Sequence, residues 1–208
     1  MPPRFITFEG GEGAGKSTQS RRLADRLDAH GIECVLTREP GGSAGAEDIR
    51  NLLVVGEPGR WDALTEAMLM FAARTDHVTR TIKPELAKGH WVICDRFTDS
   101  TYAYQGAGRG LSHETLAQID AITLGGFKPD LTLILDLPVD VGLRRASQRG
   151  NGEERFEKFD KAFHEKLREA FRNIAMQEPH RCVLIDASAH EDEVAEAIWR
   201  TVAARFGL

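Results

Sequence analysis

The run Gly10-Gly11-Glu12-Gly13-Ala14-Gly15-Lys16-Ser17 matches G-x-x-x-x-G-K-[ST] in full, and Thr18 follows it. This pattern binds anions. Its glycines let the backbone turn so that successive N–H groups converge on phosphate oxygens. The lysine reaches the β- and γ-phosphates of a nucleotide, and the serine hydroxyl can ligate Mg²⁺. A helix starting at Lys16 adds the positive end of its dipole. The expected ATP site is therefore Gly10 to Thr18, with Lys16 as the catalytic cation and Ser17 as a metal ligand. Such loops serve kinases, GTPases and motor ATPases alike. No Asn-Lys-x-Asp run is present to read guanine, and 208 residues are few for an ATPase machine. A small-molecule kinase and an ATP-dependent switch protein are the two readings left. A second phosphate site discriminates between them, because only a kinase must hold an anionic acceptor facing ATP.

Residues for such a site are present. Thr37-Arg38-Glu39-Pro40-Gly41-Gly42 and Asp95-Arg96-Phe97 each follow a short apolar run and set an arginine just beyond it. The planar guanidinium fork matches phosphate oxygens. Asp95 ends Trp91-Val92-Ile93-Cys94, where a carboxylate would share a magnesium ion with Ser17. Asp136 and Asp186 end similar runs but are expected to cap the helices that follow them. Arg144, Arg145, Arg149 and Arg155 surround Gly150-Asn151-Gly152, with Arg168 further along a helix face. Residues 144–157 read as a mobile, basic lid. These arginines favour the kinase.

The elements that must position these groups are legible from hydrophobic periodicity. Unbroken apolar runs at Phe5 to Phe8, Cys34 to Leu36, Trp91 to Cys94, Leu131 to Leu135 and Cys182 to Ile185 suit strands buried on both faces. Between them lie helical patterns: Lys16 to His30, Ala46 to Val54, Trp61 to Lys88, His113 to Leu124, Val139 to Gln148, Glu154 to Met176 and Asp192 to Arg205. The order predicts a doubly wound α/β fold around a mostly parallel sheet of about five strands. Ligands in such sheets bind at the carboxyl ends of the strands, where Arg38, Asp95 and Arg96 fall. One domain over residues 1–208 is expected.

Net charge is −5, with 27 basic and 32 acidic residues. No long basic tract marks a nucleic-acid surface. Cys34, Cys94 and Cys182 lie far apart without a CxxC or clustered histidines, so they read as core residues of a reducing compartment rather than zinc ligands. No apolar stretch reaches the ~18 residues of a membrane span. The expectation is a cytoplasmic protein without nucleic-acid or membrane partners.

Phe8-Glu9-Gly10 to Thr18, Thr37-Arg38-Glu39-Pro40-Gly41-Gly42 and Asp95-Arg96-Phe97-Thr98-Asp99-Ser100-Thr101-Tyr102-Ala103-Tyr104-Gln105-Gly106 resemble, in order and spacing, the three signatures of thymidylate kinases. The resemblance spans essentially the whole chain. It implies a three-layer P-loop nucleoside monophosphate kinase fold with a short lid, and phosphorylation of dTMP to dTDP by Mg-ATP. It further implies that Phe71 stacks on thymine and Arg74 bonds its exocyclic oxygen. Arg38, Arg50 and Arg96 hold the acceptor phosphate. Glu39 and Pro40 belong to the same acceptor site; Ser100, Thr101 and Gln105 contact the base or phosphate, and Tyr104 sits against the sugar. Glu12 is the acidic residue near sugar and phosphate. Some relatives carry an arginine inside the P-loop, where this chain has Ala14. It resembles instead the bacterial subtype whose lid arginine serves, with Arg149 the first choice and Arg145 and Arg155 the alternatives. A homodimer is implied as well.

Overall fold

The computed structural model describes residues 1–148 and 155–208. Its strands are β1 (Phe5–Gly10), β2 (Cys34–Arg38), β3 (Trp91–Asp95), β4 (Leu131–Asp136) and β5 (Cys182–Asp186). They form one sheet in the order β2-β3-β1-β4-β5, and all four pairings are parallel. The expected five-stranded sheet is thus parallel throughout among the described residues. Each apolar run extends one or two residues further than its apolar stretch, because the polar residue at its end still pairs: Phe8 and Arg38 both register with Asp95.

The helices are α1 (Lys16–Ala29), α2 (Ala44–Val54), α3 (Ala63–His77), α4 (Lys83–Ala87), α5 (Thr98–Thr101), α6 (His113–Leu124), α7 (Val139–Ser147), α8 (Lys161–Gln177) and α9 (Glu191–Phe206). Side chains alternate across β1. Ile6 and Phe8 join Leu23 and Leu27 of α1 and Ile198 and Val202 of α9 on one face. Phe5 points the other way, into Phe71, Ile82, Val92, Phe97 and Leu116. A further cluster beneath α8 holds Ile134, Phe163, Leu167 and Phe171. β1 leads to β2 on one side of the sheet and β4 leads to β5 on the other. A crevice therefore opens at the carboxyl ends of the central strands.

Three local expectations are corrected. The helix expected over Trp61 to Lys88 begins at Ala63, with Asp62 accepting from Leu64 N and Thr65 N, and passes through a π-helical turn at Val78–Ile82. Pro84 lacks an N–H for the carbonyl four residues earlier, and Lys83 N bonds Val78 O instead. The helix expected from Glu154 starts at Lys161, because Asp160 caps it through Phe163 N at 2.8 Å. Asp136 and Asp186 cap no helix. Asp136 is held by Arg168 at 2.7 and 2.9 Å, and Asp186 accepts from Ser188 N at 2.9 Å while His190 caps α9.

Candidate active site

β1 ends in Gly10 and α1 begins at Lys16, so Gly11 to Gly15 form the turn between them. Gly13 has φ 68°, and a Cβ there would stand 2.0 Å from Gly142 O. Gly142 is equally constrained, since its own Cβ would meet Glu12 O at 2.4 Å. The loop is thus backed directly against α7, and side chains on either glycine would push it forward. Sequence reading missed Gly142, since nothing near it in the chain marks a loop contact. Ala14 is buried, while Ser17 and Thr18 are exposed at the mouth of the loop.

Lys16 donates to Gly10 O at 3.1 Å and Gly11 O at 2.8 Å, so its ammonium lies inside the loop. Burial, with Arg96 adding to it, pulls its pKa down to about 8, against Glu12, Asp95 and Glu9, which favour the charged form. The Ser17 hydroxyl donates to Asp95 Oδ2 at 2.5 Å. These two oxygens form a hard donor pair beside the loop, of the kind Mg²⁺ takes while keeping several waters. No group of three or more His, Cys, Asp or Glu suited to a metal is found among the described residues.

Arg96 sits at the junction of the loop and the neighbouring cleft. Its φ of 70° is the one positive value on a non-glycine residue among those described, a strained setting of the kind that persists where surrounding structure over-determines it. Its guanidinium donates to Gly10 O and Ser100 Oγ, both at 3.1 Å, and to Glu12 Oε1 at 3.0 Å. It lies 5.0 Å from the Tyr104 ring. The Tyr104 hydroxyl donates to the same Glu12 oxygen at 2.6 Å. Burial alone would raise the Glu12 pKa, but Arg96 and Lys16 outweigh it and hold the carboxyl at about 2.

The cleft walls come from α2, α3 and the stretch after β3. That stretch was not expected to be helical, yet α5 continues into a π-helical segment at Tyr102–Gly108. It aims Ser100, Thr101, Tyr104 and Gln105 into the cleft. Glu9, fully buried on β1, accepts from Phe97 N at 2.7 Å, Ser100 N at 3.2 Å and Ser100 Oγ at 2.5 Å, and so anchors the start of α5. Burial, then Asp99, raises the Glu9 pKa to about 7. Opposite, Glu39, Pro40, Arg50 and Arg74 line the cleft. Arg74 is held by Glu39 at 2.6 Å, Thr101 at 3.1 Å and Phe97 O at 3.1 Å. His77 braces Glu39 from behind at 2.9 Å and meets Thr37 at 2.7 Å. Arg50 donates to Pro40 O at 2.6 Å.

Some expected residues fall elsewhere. Phe71 is fully buried in the core and does not line the cleft; Met70 does. A single residue turns a helix position by about 100°, which separates a core-facing ring from a cleft-facing thioether. Arg38 points away to Glu47 at 3.3 Å, with its side chain 54% exposed. Arg155 is 1% exposed and paired with Glu66, so its charge is taken up there. Arg149 lies outside the described residues. Val54, Phe156 and Glu157 also line the cleft, without any local motif to reveal them.

A parallel five-stranded sheet with a phosphate loop opening onto an arginine-bearing cleft defines a P-loop nucleoside monophosphate kinase. The sequence model of thymidylate kinase matches residues 8–198. A thymidylate kinase of Caulobacter vibrioides is 58% identical over 204 residues, covering 98% of both chains. One of Magnetococcus marinus is 51% identical, over 99% of this chain and 98% of its own. The crystal structure of thymidylate kinase from Ehrlichia chaffeensis superposes with a TM-score of 0.78 at 35% identity, covering 97% of this chain and 99% of that one. The chain belongs to the thymidylate kinase family.

Proposed function

We propose that this protein transfers the γ-phosphoryl group of Mg-ATP to dTMP, giving dTDP for dTTP synthesis. The observation that supports it best is the position of Arg96, whose one guanidinium touches the phosphate loop at Gly10 O and the cleft at Glu12 and Ser100. A switch protein needs only the loop. A kinase needs two anions brought end to end, and a cation at their meeting point offsets their repulsion.

In this reading the loop N–H groups and Lys16 hold the donor phosphates, with Thr18 beside them at the loop mouth. Lys16 leaves its two carbonyl partners to follow the moving charge. Ser17 and Asp95 would hold Mg²⁺, which would supply further positive charge to the transferring phosphoryl group. Arg96 and Arg50 orient the acceptor phosphate, whose oxygen is already an anionic nucleophile, so no general base is required. Arg74 offers its remaining N–H donors to an exocyclic oxygen of the base. Thr101 and Gln105 face the base, and Tyr104 bounds the sugar. Arg149 is our choice for the lid cation within residues 144–157, since Arg155 is committed to Glu66 and Arg145 donates to Ala187 O at 3.5 Å.

We place the protein in the cytoplasm as a homodimer. No helix among the described residues is long and apolar enough to cross a membrane. Leu64 and Met68 on α3 and Ile122 on α6 are exposed apolar groups that a second copy could cover; light scattering measures this. A coupled assay across dTMP, dCMP, dGMP and UMP with ATP and Mg²⁺ tests the substrate. Turnover of dCMP or dGMP matching that of dTMP overturns the thymidylate reading, because a site bonded to one base edge rejects those that leave its polar groups unpaired.

A further inference from the structure

Glu66 stands in the first turn of α3, fully buried, and has no part in the transfer described above. Its carboxylate gathers groups from two distant segments. One oxygen pairs with Arg155. The other accepts from the Gln105 amide at 2.8 Å and lies 3.0 Å from Arg109 Nη1. Arg155 spends the rest of its fork on backbone, donating to Leu53 O at 2.8 Å and to Glu57 O at 3.2 Å. The residue after Arg155 is then fixed. Phe156 meets the Tyr104 ring edge-on at 5.4 Å, and Phe156 and Glu157 line the acceptor cleft beside Gln105. A carboxylate only accepts, so Gln105 must turn its NH₂ toward Glu66, leaving its carbonyl as the free end.

Two walls of the cleft, one from the segment after α5 and one from the turn before α8, are therefore tied to a single buried anion. We propose that Glu66 and Arg155 form a positioning pair that sets affinity for the acceptor nucleotide without touching it. This rests on the reading that the cleft takes dTMP. Stability alone is a poor reason for the pair. Removing two charges from water offsets most of their attraction, and apolar replacements are often neutral or better. What a three-way fork on a buried carboxylate supplies is register: it fixes where Phe156, Tyr104 and Gln105 stand relative to one another.

The test is Arg155→Met in the full chain, a substitution of similar length that leaves Glu66 near Arg109. We expect dTMP KM, and Kd by calorimetry, to rise about tenfold with kcat within about twofold. ATP KM stays unchanged. Arg155→Lys keeps a cation beside Glu66 but cannot reach both carbonyls, so its dTMP Kd falls between the two. A folded Arg155→Met protein with wild-type dTMP Kd overturns the proposal. So does a drop in kcat at unchanged KM, which would place Arg155 in the transition state. Should Arg155→Met fail to fold, Arg155→Lys decides, and an unchanged dTMP Kd in it refutes the pair. Wild-type protein that binds no dTMP sinks the substrate reading and the proposal together, an outcome distinct from the others.

Discussion

Arg96 donates to Glu12 across 84 residues of sequence at 3.0 Å, joining the end of β3 to the phosphate loop. Glu12 also accepts from Tyr104, so the carboxylate holds a cleft cation and a cleft hydroxyl against the phosphate loop. The arrangement makes Arg96 a bridge and, in the proposed reading, a ground-state ligand of the acceptor phosphate.

Arg96→Ala should weaken dTMP binding at least tenfold, since hydrogen bonds to charged groups contribute about 1.5–3 kcal/mol. Arg96→Gly removes the same side chain but accepts the φ of 70° without a Cβ. It should therefore unfold at a higher temperature than Arg96→Ala, by the equivalent of about 1 kcal/mol. Calorimetric dTMP titration and thermal unfolding of both variants check this; equal unfolding temperatures would remove the strain argument.

Lys16→Met should fold, because the side chain contacts loop carbonyls rather than the core. Its rate should fall about a hundredfold, or ~3 kcal/mol of transition-state stabilisation. In the wild type the lysine is pulled below its ordinary 10.5 to about 8. It is charged below that pH and loses the proton as pH rises through it, so kcat/KM for ATP, which reports the free enzyme, should decline above about pH 8. Bound ATP favours the cation and moves the limb in kcat upward. A kcat/KM profile flat to high pH would refute the role of Lys16 charge.

Gly142→Ala sets a Cβ 2.4 Å from Glu12 O. Overpacking of this kind costs about 1–3 kcal/mol, and here the yielding part is the phosphate loop. ATP KM should rise by more than dTMP KM, measured by varying each substrate in turn. An unaltered ATP KM would show that α7 gives way instead.

Arg149→Ala should lower kcat tenfold or more with dTMP Kd little changed, as expected for a group acting on the transition state. Arg145→Ala should keep its kcat, because Arg145 already donates to Ala187 O. Single-turnover rates and dTMP titrations for both variants separate them. Full activity in Arg149→Ala would end its candidacy.

The phosphate loop, the strand-end positions of Asp95 and Arg96 and the alternation of buried strands with helices were legible in the sequence. All three are short-range: a glycine run between a strand and a helix, a charge closing an apolar run, a period that switches from buried strand to amphipathic helix. What the tertiary structure decided is which of several neighbours faces the cleft. Met70 rather than Phe71 lines it, because the helix rotation is set by where α3 packs, and adjacent apolar residues look alike to periodicity. Arg38 and Arg155 carry the same charge as Arg96, but one is turned out to Glu47 and the other buried against Glu66. Gly142 came to back the phosphate loop only because folding sets α7 against Glu12 and Gly13. Composition and spacing specify which groups a chain possesses. The partners that orient or consume each charge come from segments tens of residues away, and only folding brings them within hydrogen-bond reach.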